Sequence, residues 1–224
     1  MKRLVSIAAT LLGGLVGCVA LHAQDAGKDF ATPQDTFRCA RAALAKKDGL
    51  ARLCECLTDD SRDLLGGGLT ANVLVAKKLI AVGGSKDDLL LVKKLDEILA
   101  RHGLLEKSVR PLDPLAVAFQ SSDPANQMRI ARLLLAPVKE RNIYVAELVH
   151  SLQKKGNGVG GAIKGSSELV DVKIDGDTAK ATVIKTHAGK DSHAPILFKK
   201  IGENWKIDMT AELHKTFAPR PKSK

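Results

Sequence analysis

The hydrophobic period of this chain changes once. From position 32 to about 155, apolar residues recur every third or fourth place, which sets them on one face of a helix. From 168 to 210 they recur every second place, as on a half-buried strand. Thr32-Pro33 opens the first helix: Thr32 is a good N-cap, Pro33 suits the first turn and Asp35 favours the positive helix end. Phe37, Ala40 and Leu44 share a face, and Asp48-Gly49 ends the helix. Residues 50–57 predict a second, shorter helix and 58–65 a further turn or two. The triple glycine Gly66, Gly67 and Gly68 predicts a hinge or loop, followed by a helix over 69–82 that Gly83-Gly84 stops. Ser85 with Asp88 resembles a capping box, and Leu91, Leu95, Ile98 and His102 then line one face. Pro111 and Pro114 punctuate a loop, Asp123-Pro124 caps another helix to about Leu135, and Pro137 interrupts or starts the next. In that helix Tyr144, Leu148 and Leu152 share a face.

After a glycine-rich stretch, 154–167, the alternation begins. Val170, Val172 and Ile174 alternate with Asp171 and Lys173, and Ala179, Ala181 and Val183 with Lys180 and Thr182. Asp175-Gly176-Asp177 is the tight turn between them. A loop over 187–192 follows, then Ile196 and Phe198, a turn at Gly202-Glu203-Asn204, and Trp205, Ile207 and Met209. Helices first and a three- to four-stranded antiparallel meander last make an α+β domain with one face of its sheet wet.

The domain is expected over 32–217, with its helical middle at 69–155 and its sheet at 168–210. Ahead of it stands a leader. Lys2 and Arg3 form a positive start, and residues 4–21 are apolar and uncharged, the pattern of a secretory signal. Two cleavage sites compete: after Ala23, or before Cys18, where Leu15-Val16-Gly17-Cys18 resembles the lipobox of bacterial lipoproteins. That resemblance makes Cys18 the candidate lipidation site. A retained membrane helix is the third reading, since the stretch is nearly long enough to span. Residues 24–31 read as a linker and 218–224 as a disordered basic tail. The expected address is periplasmic or secreted, free or anchored as a lipoprotein.

Export changes how the cysteines are read. Cys39, Cys54 and Cys56 are disulfide candidates, an odd number, with Cys39 placed to join one of the other two across successive helices. Buried inert thiols are the alternative. No histidine follows at a ligand spacing, so no metal site is expected.

The two ends of the chain carry a family likeness. Thr32-Pro33-Gln34-Asp35-Thr36-Phe37 with Ala42-Ala43-Leu44-Ala45-Lys46-Lys47-Asp48, and later Leu197-Phe198-Lys199-Lys200-Ile201-Gly202-Glu203-Asn204-Trp205-Lys206-Ile207-Asp208, resemble the first helix and last hairpin of small exported domains. These belong to the ketosteroid-isomerase-like, or nuclear-transport-factor-two-like, superfamily. The resemblance implies a curved sheet with a pocket between it and the helices. It extends to isomerases, dehydratases, carriers and many domains of no assigned role, so it does not settle function. Phe37, Tyr144, Phe198 and Trp205 are the pocket or core candidates.

Composition narrows the chemistry. Apolar residues make up 45% of the 224, enough to build a core, and aromatics only 3%, so few platforms exist for stacking nucleobases. The net charge of +10 comes from lysines spread along the chain without a block of five like charges, so no nucleic-acid partner is expected. Ser166, Ser167, Cys39, His150, His187 and His193 are nucleophiles or bases by composition, but none stands in a Gly-x-Ser-x-Gly elbow. The glycines at 156–161 follow a helix rather than a strand and lack a closing Gly-Lys-Ser/Thr, so no nucleotide cofactor is expected, and no other. Asp208, three places after Trp205, should face solvent if the tryptophan faces the core. The sequence therefore points to a binding or structural domain of the cell envelope, with an unidentified ligand or envelope protein as partner and membrane contact only through a leader or lipid anchor. A pocket enzyme of the isomerase or dehydratase type and a scaffolding lipoprotein are the alternatives.

Overall fold

A computed structural model describes residues 30–46, 49–105, 112–121, 123–152, 166–187 and 190–218; the leader with Cys18, the basic tail and the glycine-rich stretch before Ser166 lie outside them. Among the described residues there are eight helices and one four-stranded antiparallel sheet, an α+β fold. The helices are α1 (Pro33–Ala45), α2 (Leu50–Glu55), α3 (Asp59–Gly83), α4 (Lys86–Arg101), α5 (Leu112–Ser121), α6 (Pro124–Leu134), α7 (Arg141–Leu152) and α8 (Thr210–Phe217). The strands β1 (Ser166–Asp175), β2 (Thr178–His187), β3 (Lys190–Ile201) and β4 (Asn204–Asp208) lie in sequence order, a meander.

Local chemistry sets most helix starts where the sequence signals them. Thr32 Oγ1 accepts the Asp35 N–H at 3.1 Å, and Asp123 Oδ1 accepts the Asn126 N–H at 3.0 Å, each ahead of a proline. Ser85 and Asp88 form a reciprocal capping box at 3.3 and 3.1 Å.

The triple glycine is not a hinge. It lies inside α3, which begins at Asp59, ten residues before the helix the sequence predicts at Leu69. The physical reason is close packing. A Cβ on Gly66 would stand 2.8 Å from Val145 Cγ2 of α7, one on Gly67 2.5 Å from the Ala131 Cα of α6, and one on Gly68 2.5 Å from Phe217 Cε2 of α8. Three helices therefore reach the α3 backbone more closely than any side chain allows. These contacts more than offset the weak helix propensity of glycine. α3 also packs against α4, α5 and β4. It is long and apolar enough to cross a membrane by length and composition, and 56% of that window is buried within the fold.

The sheet joins this helical layer through β4. Thr58, the N-cap of α3, donates its N–H to the Ile207 carbonyl at 2.9 Å, and Ile207 returns an N–H to the Cys56 carbonyl at 2.8 Å. Thr36 of α1 donates its hydroxyl to the Trp205 carbonyl at 2.8 Å. Ala179, Ala181, Val183, Phe198, Trp205 and Ile207 are buried from the sheet side. Glycines open the two tight hairpins, Gly176 at φ +54° and Gly202 at φ +60°.

Three further details differ from the sequence pattern. A bulge between Val170 and Lys173, with Asp171 at φ +53°, breaks the alternation, so Ile174 is exposed while Leu169 and Val172 pack on the core. The expected loop over 187–192 is paired instead: His187 faces Lys190 and β3 runs on from there. After β4 the chain forms α8, with Met209 at its N-cap and the N–H of its first residue, Thr210, donated to Asp208 Oδ1 at 3.0 Å.

Gly67→Ala should lower stability by about 2 kcal/mol, because the Ala131 backbone must move. Gly83→Ala, with nothing within 4 Å, should be neutral or stabilising by up to ~0.5 kcal/mol. Urea unfolding midpoints of the two variants give the comparison.

Candidate functional site

α7 has two working faces. Tyr144, Val145, Leu148, Val149 and Leu152 point into the core, while Ile143, Ala146, Glu147 and His150 form the stripe one turn apart on the other side. Lys94, Glu97, Ile98 and Arg101 repeat that spacing on α4. Both helices touch, and α7 also packs on α2. Between α2, α4 and α7 remains a trough of about 350 Å³. Leu50, Ala51, Ile98, Ile143 and Ala146 supply its apolar surface, and Lys94, Glu97, Arg101, Glu147 and His150 its charged and polar rim. The trough belongs to the helical layer, away from the sheet.

The rim is tied to the core. Glu147 Oε2 accepts from Arg101 at 2.8 Å and lies 3.3 Å from His102 Nε2. The His102 ring, 8% exposed, meets Tyr144 edge-on at 5.1 Å between centroids. The Tyr144 hydroxyl is 2.6 Å from that of Thr70, which donates to the Gly66 carbonyl at 2.7 Å. Burial pushes the Tyr144 hydroxyl well above the ordinary phenol range. A line of hydrogen bonds and one edge-on ring contact thus runs from the trough to the glycine segment of α3.

A second, wider depression of about 540 Å³ shares Ala51 and Ile143 with the trough and carries Arg62, Lys139 and Arg141. Beneath it Asp63 is 4% exposed. Arg141 donates to its Oδ2 at 2.6 Å, and Arg62 Nε lies 3.7 Å from its Oδ1. This carboxylate is a buried structural anchor, held by one direct bond and one neighbouring guanidinium.

The sequence candidates are dispersed over the fold. Phe37, Tyr144, Phe198 and Trp205 are all buried. Phe37 lies on α1, which packs on β1 and β4, whereas Tyr144 lies in the helical layer. Cys54 faces a small apolar cavity of about 20 Å³ with Leu53, Leu57, Leu65 and Val149, and burial pushes its thiol up to about 12. Cys56 is fully buried and its thiol meets that of Cys39. His150 lines the trough; His193 lies on β3 opposite Ile184, and His187 ends β2. The peptide carbonyl of Ser167 accepts from Arg41 at 2.8 Å, and Ser166 begins β1. Asp208 does not simply face solvent: half-buried, it accepts the Thr210 N–H at 3.0 Å and the Ser61 hydroxyl at 3.2 Å, because the chain turns into α8 there. No group of three His, Cys, Asp or Glu able to hold a metal exists among the described residues.

Glu147, Arg101, Lys94 and Asp63 escaped the sequence reading. For Glu147, Arg101 and Lys94 the signal is a polar stripe at spacings of three and four on α4 and α7, visible only once the two are known to be neighbours; Asp63 on α3 is revealed only by its burial beside Arg141. Compared with known proteins, the chain matches no family model, no curated protein and no solved structure.

Arg141→Met should destabilise the fold by about 2–3 kcal/mol, since Asp63 is left buried without its hydrogen-bonded cation, and Arg141 is itself part-exposed. Adding Asp63→Leu should restore most of that loss. Thermal melts of the single and double variants measure both effects.

Proposed function

We propose that this chain is an exported, non-catalytic binding domain of the bacterial cell envelope, and that a small amphiphile occupies the trough between α2, α4 and α7. The observation that carries the reading is the trough itself. Its volume of about 350 Å³ falls within the range of small-molecule sites, its inner surface is aliphatic, and its rim is polar. Lys94 and Arg101 are balanced there by Glu97 and Glu147, so the rim suits an uncharged or zwitterionic polar end rather than a strong ion. Leu50, Ile98 and Ile143 suit an apolar body. Export rests on Lys2, Arg3 and the uncharged apolar stretch over 4–21.

The enzyme alternative would draw on the titratable groups of the trough, Glu97, Glu147 and His150; one Glu147 oxygen is engaged by both Arg101 and His102, which positions that side chain. The scaffolding alternative draws on another surface. At the far end of the α3–α4 arm, Leu79, Val82, Leu89 and Leu90 are 52–90% exposed, an apolar patch of the kind found at contact surfaces.

Titration with the apolar fluorophore N-phenyl-1-naphthylamine separates the readings. A saturable site is expected, weakened about tenfold or more by Ile143→Glu and displaced by envelope amphiphiles. Val82→Ser with Leu90→Ser should leave it unchanged. Probe binding lost on the arm variants and kept in Ile143→Glu would move the function to the arm and contradict the trough.

A further inference from the structure

Cys39 and Cys56 come from different elements and are brought together by the same strand. Cys39 lies one turn after Thr36 on α1, and the Thr36 hydroxyl donates to the Trp205 carbonyl at 2.8 Å. Cys56 closes α2, and its carbonyl accepts the N–H of Ile207 at 2.8 Å. Both cysteines are therefore pinned to one short segment of β4, through residues two places apart. α1 packs directly on α2, the Cys56 thiol donates to the Arg52 carbonyl at 3.4 Å, and the neighbouring Cys39 thiol with burial pushes the Cys56 thiol up. Cys56 is fully buried and Cys39 is partly exposed. Cys54, the neighbouring candidate, sits one peptide unit away from Glu55 on the other side and turns into the apolar cavity beside Leu57 and Leu65.

We propose that Cys39 and Cys56 form a disulfide in the exported protein, and that Cys54 stays a buried thiol. The oxidant is a reactive disulfide, of a small thiol or of a dithiol oxidase. The Cys39 thiolate attacks one oxidant sulfur, forms a mixed disulfide and releases one oxidant thiolate. The Cys56 thiolate then attacks the Cys39 sulfur and releases the second. Two protein thiols become one S–S bond, two electrons pass to the oxidant, and the two protons are taken by solvent or the released thiolates.

Burial and the neighbouring Cys39 thiol hold the Cys56 thiol above its ordinary range, so Cys39, the partly exposed member, is the one that meets the oxidant. The finished bridge has its Cys56 end buried and its Cys39 end open to reductant. It ties α1 to the α2–α3 junction, where the sheet meets the helical layer, and this holds whatever occupies the trough.

The test refolds the reduced full chain in a glutathione redox buffer, alkylates remaining thiols, and cleaves after Arg52 and Glu55 without reduction. Cleavage at Glu55 separates Cys54 from Cys56. The expected result is a Cys39–Cys56 linked peptide with Cys54 alkylated. Reductant should lower the melting temperature of the oxidised protein by about 5–10 °C, as for a short closed loop in a chain this size. Cys39→Ser should abolish that shift and Cys54→Ser should retain it. If Cys39→Ser fails to fold, the wild type with and without reductant still gives the reading. A bridge containing Cys54, alkylation of both Cys39 and Cys56, or no shift with reductant would overturn the proposal.

Discussion

The rest of the helical layer depends on how closely α6, α7 and α8 approach α3 at Gly66, Gly67 and Gly68. Side chains normally hold helices 8–10 Å apart. Here the glycines remove that spacer on three sides of one turn, and Val145, Ala131 and Phe217 fill the space. Dispersion falls off steeply with separation, so such an approach converts backbone surface into packing contacts. It also fixes the orientation of α7. With Val145 seated on Gly66, Tyr144 is directed to Thr70 and Glu147 to the outer side, toward Arg101 and His102. The trough is thus a consequence of a backbone contact in the core rather than of any residue on its own rim.

The sheet depends on a different constraint, the edge of β4. An unpaired edge is a template for association with other chains. This edge is taken by Phe30, whose carbonyl accepts the Trp205 N–H at 2.7 Å, and by the 56–58 segment bridging to Ile207. The same bonds hold the start of α3, the end of α2 and the segment just before α1. Lys206 extends across this junction, donating to the Glu55 carbonyl at 2.6 Å with its ammonium 3.8 Å from the centre of the Phe30 ring. Sheet and helices consequently share one core, in which Phe37, Trp205, Leu64 and Tyr144 are members of the same cluster.

Much of the architecture was legible in the sequence because it rests on local chemistry. The caps at Thr32, Ser85 and Asp123 and the glycine turns at 176 and 202 are encoded within four residues, and the change of period separates helices from strands. What escaped depends on distant partners. Gly66 to Gly68 read as a break because glycine is a poor helix former, and no local signal announces Ala131 or Phe217. The bulge at Asp171 shifts the strand register through a single positive φ that sequence alternation cannot reveal. Asp208 read as solvent-facing on strand geometry, yet α8 begins two residues on and Asp208 accepts from the Thr210 N–H and the Ser61 hydroxyl. The trough escaped for the same reason: its stripes on α4 and α7 are ordinary solvated faces until the two helices are placed side by side.

Amide hydrogen exchange tests the central role of the glycine segment. The account places residues 64–74 of α3 among the slowest-exchanging amides, opening only with global unfolding, while 77–83, at the exposed end of the same helix, exchange much earlier. That contrast within one continuous helix is the expected result. If 64–74 exchanged as fast as the exposed end, or opened before α7 and the β2–β3 pair, the close approach at Gly66 to Gly68 would not be the constraint on which the fold depends.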